Sequence, residues 1–130
     1  VGNATPTTLR TSVTTNTYSY TPTLNKQVIF AHVNYTASAT VGNRIINMQL
    51  LNDTGDIVAD WHSTPVIAAT QNRHIEYLPG TYREAAFDAQ GVVQTPFPTG
   101  LIIPANYTLK ILDSANISAT DTMIIGLQVK

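Results

Sequence analysis

Three histidines and a group of aspartates are the residues of this 130-residue chain that could support metal or acid–base chemistry. His74 and Glu76 stand two residues apart, so on a strand both side chains would point to the same face. An imidazole and a carboxylate placed in this way could ligate a metal ion, but a protein metal site needs at least a third ligand. His32 lies in an apolar stretch and His62 follows Trp61, and neither spacing supplies that ligand. The pattern favours a surface pair, and the sequence predicts no metal and no other cofactor.

Carboxylates and hydroxyls are also present, but not in a catalytic arrangement. Asp53, Asp56 and Asp60 surround an expected hairpin turn, and their spacing does not match a calcium loop with ligands at alternate positions. Paired-carboxylate hydrolysis would need two acids across a cleft. The chain has many hydroxyls but no Gly-x-Ser-x-Gly elbow and no phosphate-binding loop. We therefore predict that the protein is not an enzyme.

Composition narrows the function classes further. The chain has seven basic and eight acidic residues, a net charge of −1 and 12% charged residues, against about 25% in a typical globular domain. The absence of Cys excludes a disulfide framework and a thiolate zinc site. The dispersed basic residues predict no nucleic-acid binding, and no apolar run reaches the roughly 18 residues of a membrane span.

The low charge also bears on partners, since 20 residues are Thr. A polar but weakly charged surface suits packing against other proteins, because burying a lone charge is costly while a hydroxyl finds a partner easily. The alternative is an ordinary secreted β-domain, in which Thr is simply a good strand residue. Residues 1–52 carry three basic and no acidic residues (+3), whereas residues 53–130 carry four basic and eight acidic ones (−4).

Residues 1–26 are predicted to form an extended Thr/Pro-rich N-terminal arm. Nine of the first 24 residues are Thr, and the segment holds too little apolar surface to fold alone. Tyr18 and Tyr20 would project to the same side of an extended chain, where they could anchor on a neighbouring surface, and Arg10 adds positive charge. If so, deleting residues 1–24 would leave a folded body. The alternative is a first strand of the body sheet, with both tyrosines half-buried.

Residues 27–130 are predicted to form a β-sandwich domain. Alternating apolar and polar residues mark the longer strands, and Gly and Pro punctuate the turns between them. The clearest strands span 27–38, 44–51, 56–61, 73–78, 107–112 and 123–129. About eight strands without an amphipathic helix predict an all-β, antiparallel sandwich of jelly-roll type. An immunoglobulin-like sandwich is the second choice, and it would lack the usual Cys-Trp-Cys core.

The order of several short motifs in this body resembles small β-sandwich virion structural proteins of tailed bacteriophages. The motifs are VGNR at 41–44, NDTGD at 52–56, TQ at 70–71, PG at 79–80, LIIPANYTLK at 101–110, and the acids Asp113 and Asp121 ahead of the last strand. The resemblance covers about 100 residues, excludes the arm and carries no catalytic residues. It implies a capsid decoration or cement protein that binds the major capsid protein or other virion proteins on the head surface, commonly as a homodimer or homotrimer.

Two alternatives remain open at the level of sequence. A carbohydrate-binding or adhesin module would need exposed aromatic side chains, for which Trp61, Tyr82 and Phe97 are the candidates, although each could equally fill the core. A neck, tail or fibre component of the same particle would use a similar rigid β-module. The candidate partner-binding residues are therefore Arg10, Tyr18, Tyr20, Trp61, Tyr82 and Phe97.

Overall fold

A computed structural model describes residues 7–13, 17–63, 66–80, 85–115 and 118–130. Within these ranges the chain forms ten strands and one short 3-10 helix, which spans Ala85–Gln90. The strands are β1 (Thr7–Val13), β2 (Thr17–Tyr20), β3 (Lys26–Thr36), β4 (Ile46–Leu51), β5 (Ile57–His62), β6 (Asn72–Pro79), β7 (Val92–Phe97), β8 (Ile102–Ile103), β9 (Thr108–Asp113) and β10 (Thr122–Val129).

The strands form two sheets that pack face to face. The large sheet has the order β1-β10-β3-β6-β7, and the short strand β8 pairs with the beginning of β3. The small sheet has the order β2-β9-β4-β5. The described pairings are antiparallel except for β6 with β7, which run parallel. The predicted all-β sandwich is confirmed, with one parallel pair at the edge of the large sheet.

The strand pairs follow the topology of a jelly roll. β1 pairs with β10, β2 with β9, β3 with β6, and β4 with β5. The first half of the chain is thus an antiparallel partner of the second half, as in a long hairpin that has been rolled into two sheets. β7 and β8 are additions to this eight-stranded ribbon. The pairing order distinguishes the fold from an immunoglobulin-like sandwich.

Alternation of apolar residues explains which face of each strand is buried. In β10 the residues Met123, Ile125, Leu127 and Val129 are fully buried, while Ile124 and Gln128 are partly exposed. Because successive side chains of a strand point to opposite faces, this period-two pattern places one apolar face in the core. Inward residues of β4 and β9 meet that face from the small sheet.

The hairpin between β4 and β5 has the turn that its sequence predicts. Asn52 Oδ1 accepts hydrogen bonds from the backbone N–H groups of Thr54 and Asp56, at 3.0 and 2.9 Å. Gly55 adopts a φ of +90°, which is the left-handed region that favours glycine. These local contacts close the turn without help from the rest of the fold.

The described parts of the N-terminal segment belong to the sandwich itself. β1 pairs along its whole length with β10, from Thr7 opposite Val129 to Val13 opposite Met123. β2 pairs with β9 at the edge of the small sheet. The segment is extended, as predicted, but it takes the alternative position of a body strand. Residues 1–6 and 14–16 lie outside the described residues.

Candidate functional site

The outer face of the large sheet carries a row of polar positions drawn from five strands. The register aligns Arg10 of β1, Gly126 of β10, His32 of β3, Glu76 of β6 and Gln94 of β7. The inward neighbours on each side of these positions contribute to the core, so the row faces away from it. The side chain of Arg10 is outside the described part of the structure, and its place in the row is a register position. The register thus aligns an arginine position with a glycine, an imidazole, a carboxylate and an amide.

Gly126 lies directly under the ring of His32. A Cβ added at position 126 would collide with the ring nitrogen Nε2 and lie 2.7 and 2.8 Å from Cε1 and Cδ2. The missing side chain therefore lets the imidazole lie flat across β10. Because this face is outside the core, the close approach shapes the surface of the sheet.

A groove of about 300 Å³ opens on this face beside the His32 ring. Its lining residues come from β3 and β6 and are Phe30, Ala31, His32, His74, Glu76 and Leu78. Phe30 on β3 and Leu78 on β6 each lie two residues along their strand from the pair formed by His32 and Glu76. The groove thus has an apolar end next to a polar end.

His74 and Glu76 form the polar end of the groove. The predicted orientation to one side of a strand is confirmed, since His74 Nε2 lies 3.2 Å from Glu76 Oε1. The other ring nitrogen, Nδ1, is within hydrogen-bond distance of Asn34 Oδ1. Among the described residues no group of three His, Cys, Asp or Glu side chains is placed to hold a metal ion.

A second polar group, the buried tetrad, consists of Tyr35, Arg44, Asp113 and Asp121. Each of the four is at most 1% exposed. Arg44 Nε and Nη2 donate to Asp121 Oδ2 and Oδ1 at 3.0 and 3.2 Å, which is the bidentate geometry of a strong ion pair. The Tyr35 hydroxyl oxygen lies 2.7 Å from Asp113 Oδ2 and 2.8 Å from Asp121 Oδ2.

The Tyr35 hydroxyl has one hydrogen and lies next to two carboxyl groups, so it can donate to only one of them. The pKa shifts of Asp113 and Asp121 indicate which one. Burial raises the pKa of Asp113. Burial acts on Asp121 in the same direction, but hydrogen bonds from Arg44, the Ser38 N–H and Tyr35 hold the pKa of Asp121 well below its usual range. Asp113 is therefore the first to be protonated, and it then donates to Tyr35, which donates to Asp121.

The buried tetrad ties the two halves of the rolled ribbon together. Tyr35 and Arg44 come from the first half and Asp113 and Asp121 from the second, and the hydrogen-bonded pairs among them are 77 to 86 residues apart in the chain. Its side chains are closed to solvent, so its role is structural. Sequence reasoning did not group these residues. The sequence did contain one indication, since Arg44, Asp113 and Asp121 each stand next to an apolar strand segment.

Four of the residues predicted as partner-binding have described side chains, and these four do not form one surface. Tyr18 and Tyr20 lie on β2, half-buried against the core, and burial followed by the proximity of Tyr20 raises the pKa of Tyr18. Trp61 is on β5, at the opposite edge of the same sheet. Phe97 is 3% exposed and belongs to the core. Tyr82 and the side chain of Arg10 lie outside the described residues.

Comparison of the chain with protein-family models, curated proteins and solved structures gave no match. Within the described residues, no helix has both the length and the apolar character needed to cross a membrane.

Proposed function

We propose that the protein is a non-enzymatic structural component of a bacteriophage virion, and that it decorates the outer surface of the head. It would bind the major capsid protein or another virion protein and stabilise contacts between capsomers. The proposal combines the motif resemblance of the body with the jelly-roll pairing, since jelly rolls are common among viral capsid domains.

The observation that carries the proposal is the outer face of the large sheet. Five paired strands support a broad face, and Gly126 with His32 builds a defined groove into it. The cores of protein interfaces are depleted in charged residues and need shape complementarity. A rigid, weakly charged sheet with a built groove meets both needs.

The main competing function is carbohydrate binding, since lectin domains also use jelly rolls. That function requires an aromatic platform on the surface. The rings of Trp61 and Phe97 instead pack edge to face with centroids 6.4 Å apart, and Phe97 is buried. Two of the three aromatic residues considered for a platform therefore contact each other at the core, which favours the virion role.

The proposal is tested by measuring the copy number of the protein, by quantitative mass spectrometry, in purified virions whose genome encodes this chain. Hundreds of copies per particle are expected of a head decoration protein, because each symmetric capsomer offers a site. A copy number close to that of the neck or tail proteins would move the protein to that part of the particle. Absence from the virion would refute the structural role.

A binding experiment separates the remaining possibilities. Purified protein is added to heads that lack it, and bound protein is measured after sedimentation. We expect saturable binding that raises the melting temperature of the heads, and a homodimer or homotrimer in light scattering. Reproducible binding on a glycan array, lost in Trp61→Ala without unfolding, would instead support the carbohydrate-binding alternative.

A further inference from the structure

The groove on the outer face of the large sheet has a size suited to one side chain of a partner. Its volume of about 300 Å³ is at the lower limit of ligand pockets, which span roughly 300–1,000 Å³. The floor and one end are apolar, with Phe30 and Leu78 partly exposed beside Ala31. A long aliphatic group would therefore be buried favourably there.

The other end of the groove offers a carboxylate. Glu76 is 30% exposed and its Oε1 is engaged by His74. A carboxylate that is partly exposed and held in place by a neighbouring side chain is suited to a cationic hydrogen-bond donor.

The distance between the two ends suits a side chain that is apolar along its stem and charged at its tip. Phe30 and Leu78 stand two residues along their strands from His32 and Glu76, a displacement of roughly 7 Å. Lysine and arginine have a flexible aliphatic stem that packs on apolar surface, with the charge at its end. Their shape and charge complement the groove.

We infer that this groove binds a lysine or arginine side chain of a partner protein, with the stem against Phe30 and Leu78 and the cationic group at Glu76. Gly126 takes part indirectly, because it allows the His32 ring to lie flat and form one wall. Within the proposed function, on which this inference rests, the partner is a virion protein with an exposed basic side chain.

Titration of the isolated full chain followed by 1H–15N NMR tests the groove without any virion. The probes are N-acetyl-lysine methylamide and the isosteric, uncharged N-acetyl-norleucine methylamide. We expect saturable shifts confined to residues 30–32, 74–78 and 126, with a dissociation constant for lysine in the millimolar range. Norleucine should bind up to about fivefold more weakly, since a partly exposed charge pair contributes up to about 1 kcal/mol.

Matched variants assign the effect to the carboxylate. Glu76→Gln should weaken lysine binding about fivefold, whereas Asp53→Asn, which neutralises an exposed acid in the β4–β5 turn, should leave it unchanged. Equal binding of norleucine, an unchanged constant in Glu76→Gln, or shifts that do not saturate would overturn the inference. Preferential binding of a saccharide to the groove would also overturn it. The copy number per virion is measured separately, so failure here and failure of the proposed function are distinguishable.

Discussion

Asp121→Asn removes the carboxylate that accepts two hydrogen bonds from the buried guanidinium of Arg44. The guanidinium cannot lose its proton, and asparagine offers it one neutral oxygen in place of a charge. Breaking a buried ion pair from one side in this way costs about 3–5 kcal/mol, because the remaining charge stays buried without compensation. That loss is a large part of the roughly 5–15 kcal/mol by which a domain is stable.

Asp113→Asn is the matched control, since it makes the same chemical change on the other side of Tyr35. A protonated Asp113 donates to the Tyr35 hydroxyl and accepts from the Ala115 N–H through Oδ1, at 3.3 Å. The Asn side chain can reproduce both contacts with its amide nitrogen and oxygen. We therefore expect a loss of about 1 kcal/mol or less.

Urea unfolding at pH 5, followed by the fluorescence of Trp61, measures both losses. With an m-value of about 2 kcal/mol per M, a loss of about 4 kcal/mol lowers the midpoint by about 2 M. The Asp113→Asn midpoint should fall by about 0.5 M or less. Equal losses in the two variants would refute the opposite pKa shifts assigned to Asp113 and Asp121. A loss below about 1 kcal/mol in Asp121→Asn would refute the burial of an ion pair at this position.

Further predictions concern pH, the first strands and the groove. Relative to Asp113→Asn, the wild type should lose stability as the pH rises from about 3.9 through the raised pKa of Asp113. Relative to Asp121→Asn, the wild type should lose stability as the pH falls from about 3.9 through the lowered pKa of Asp121. Urea midpoints measured from pH 2 to 7 check both predictions. Deleting residues 1–24 should unfold the chain, because it removes β1 and β2 and leaves β10 and β9 unpaired; a well-dispersed NMR spectrum would contradict this. Gly126→Ala should displace the His32 ring, which the NMR signals of the ring would show. The free energy of unfolding should change by about 1 kcal/mol or less, because the atoms that collide with the new Cβ are at the end of a side chain that can rotate.

Most of the strands after residue 26 could be predicted because their signal is local. Period-two alternation marks β10, and an Asn-Asp-Thr-Gly-Asp run marks the turn before β5. Such patterns depend on neighbours within a few residues. One detail of these strands is not local: the register of β3 shifts against β10, so that Val28 lies opposite Val129.

The position of the N-terminal strands could not be predicted in the same way. β1 is Thr-rich and weakly alternating, and its partner β10 lies more than 100 residues away. Leu9 of β1 packs against the core that the rest of the chain forms. The sequence therefore indicated an extended segment, while its place at the sheet edge depended on the rolled ribbon as a whole.

Local sequence determined that this chain is an all-β protein with a single apolar core, because turn chemistry and alternation act over a few residues. It also placed His74 and Glu76 on one side of a strand. Only the tertiary structure decided which side chains meet across strands, and hence that Phe30 and Leu78 line one groove with that pair and that the His32 ring lies over Gly126. The tertiary structure likewise gave Asp113 and Asp121 opposite pKa shifts, since burial acts on both and the hydrogen bonds from Arg44 reach only one.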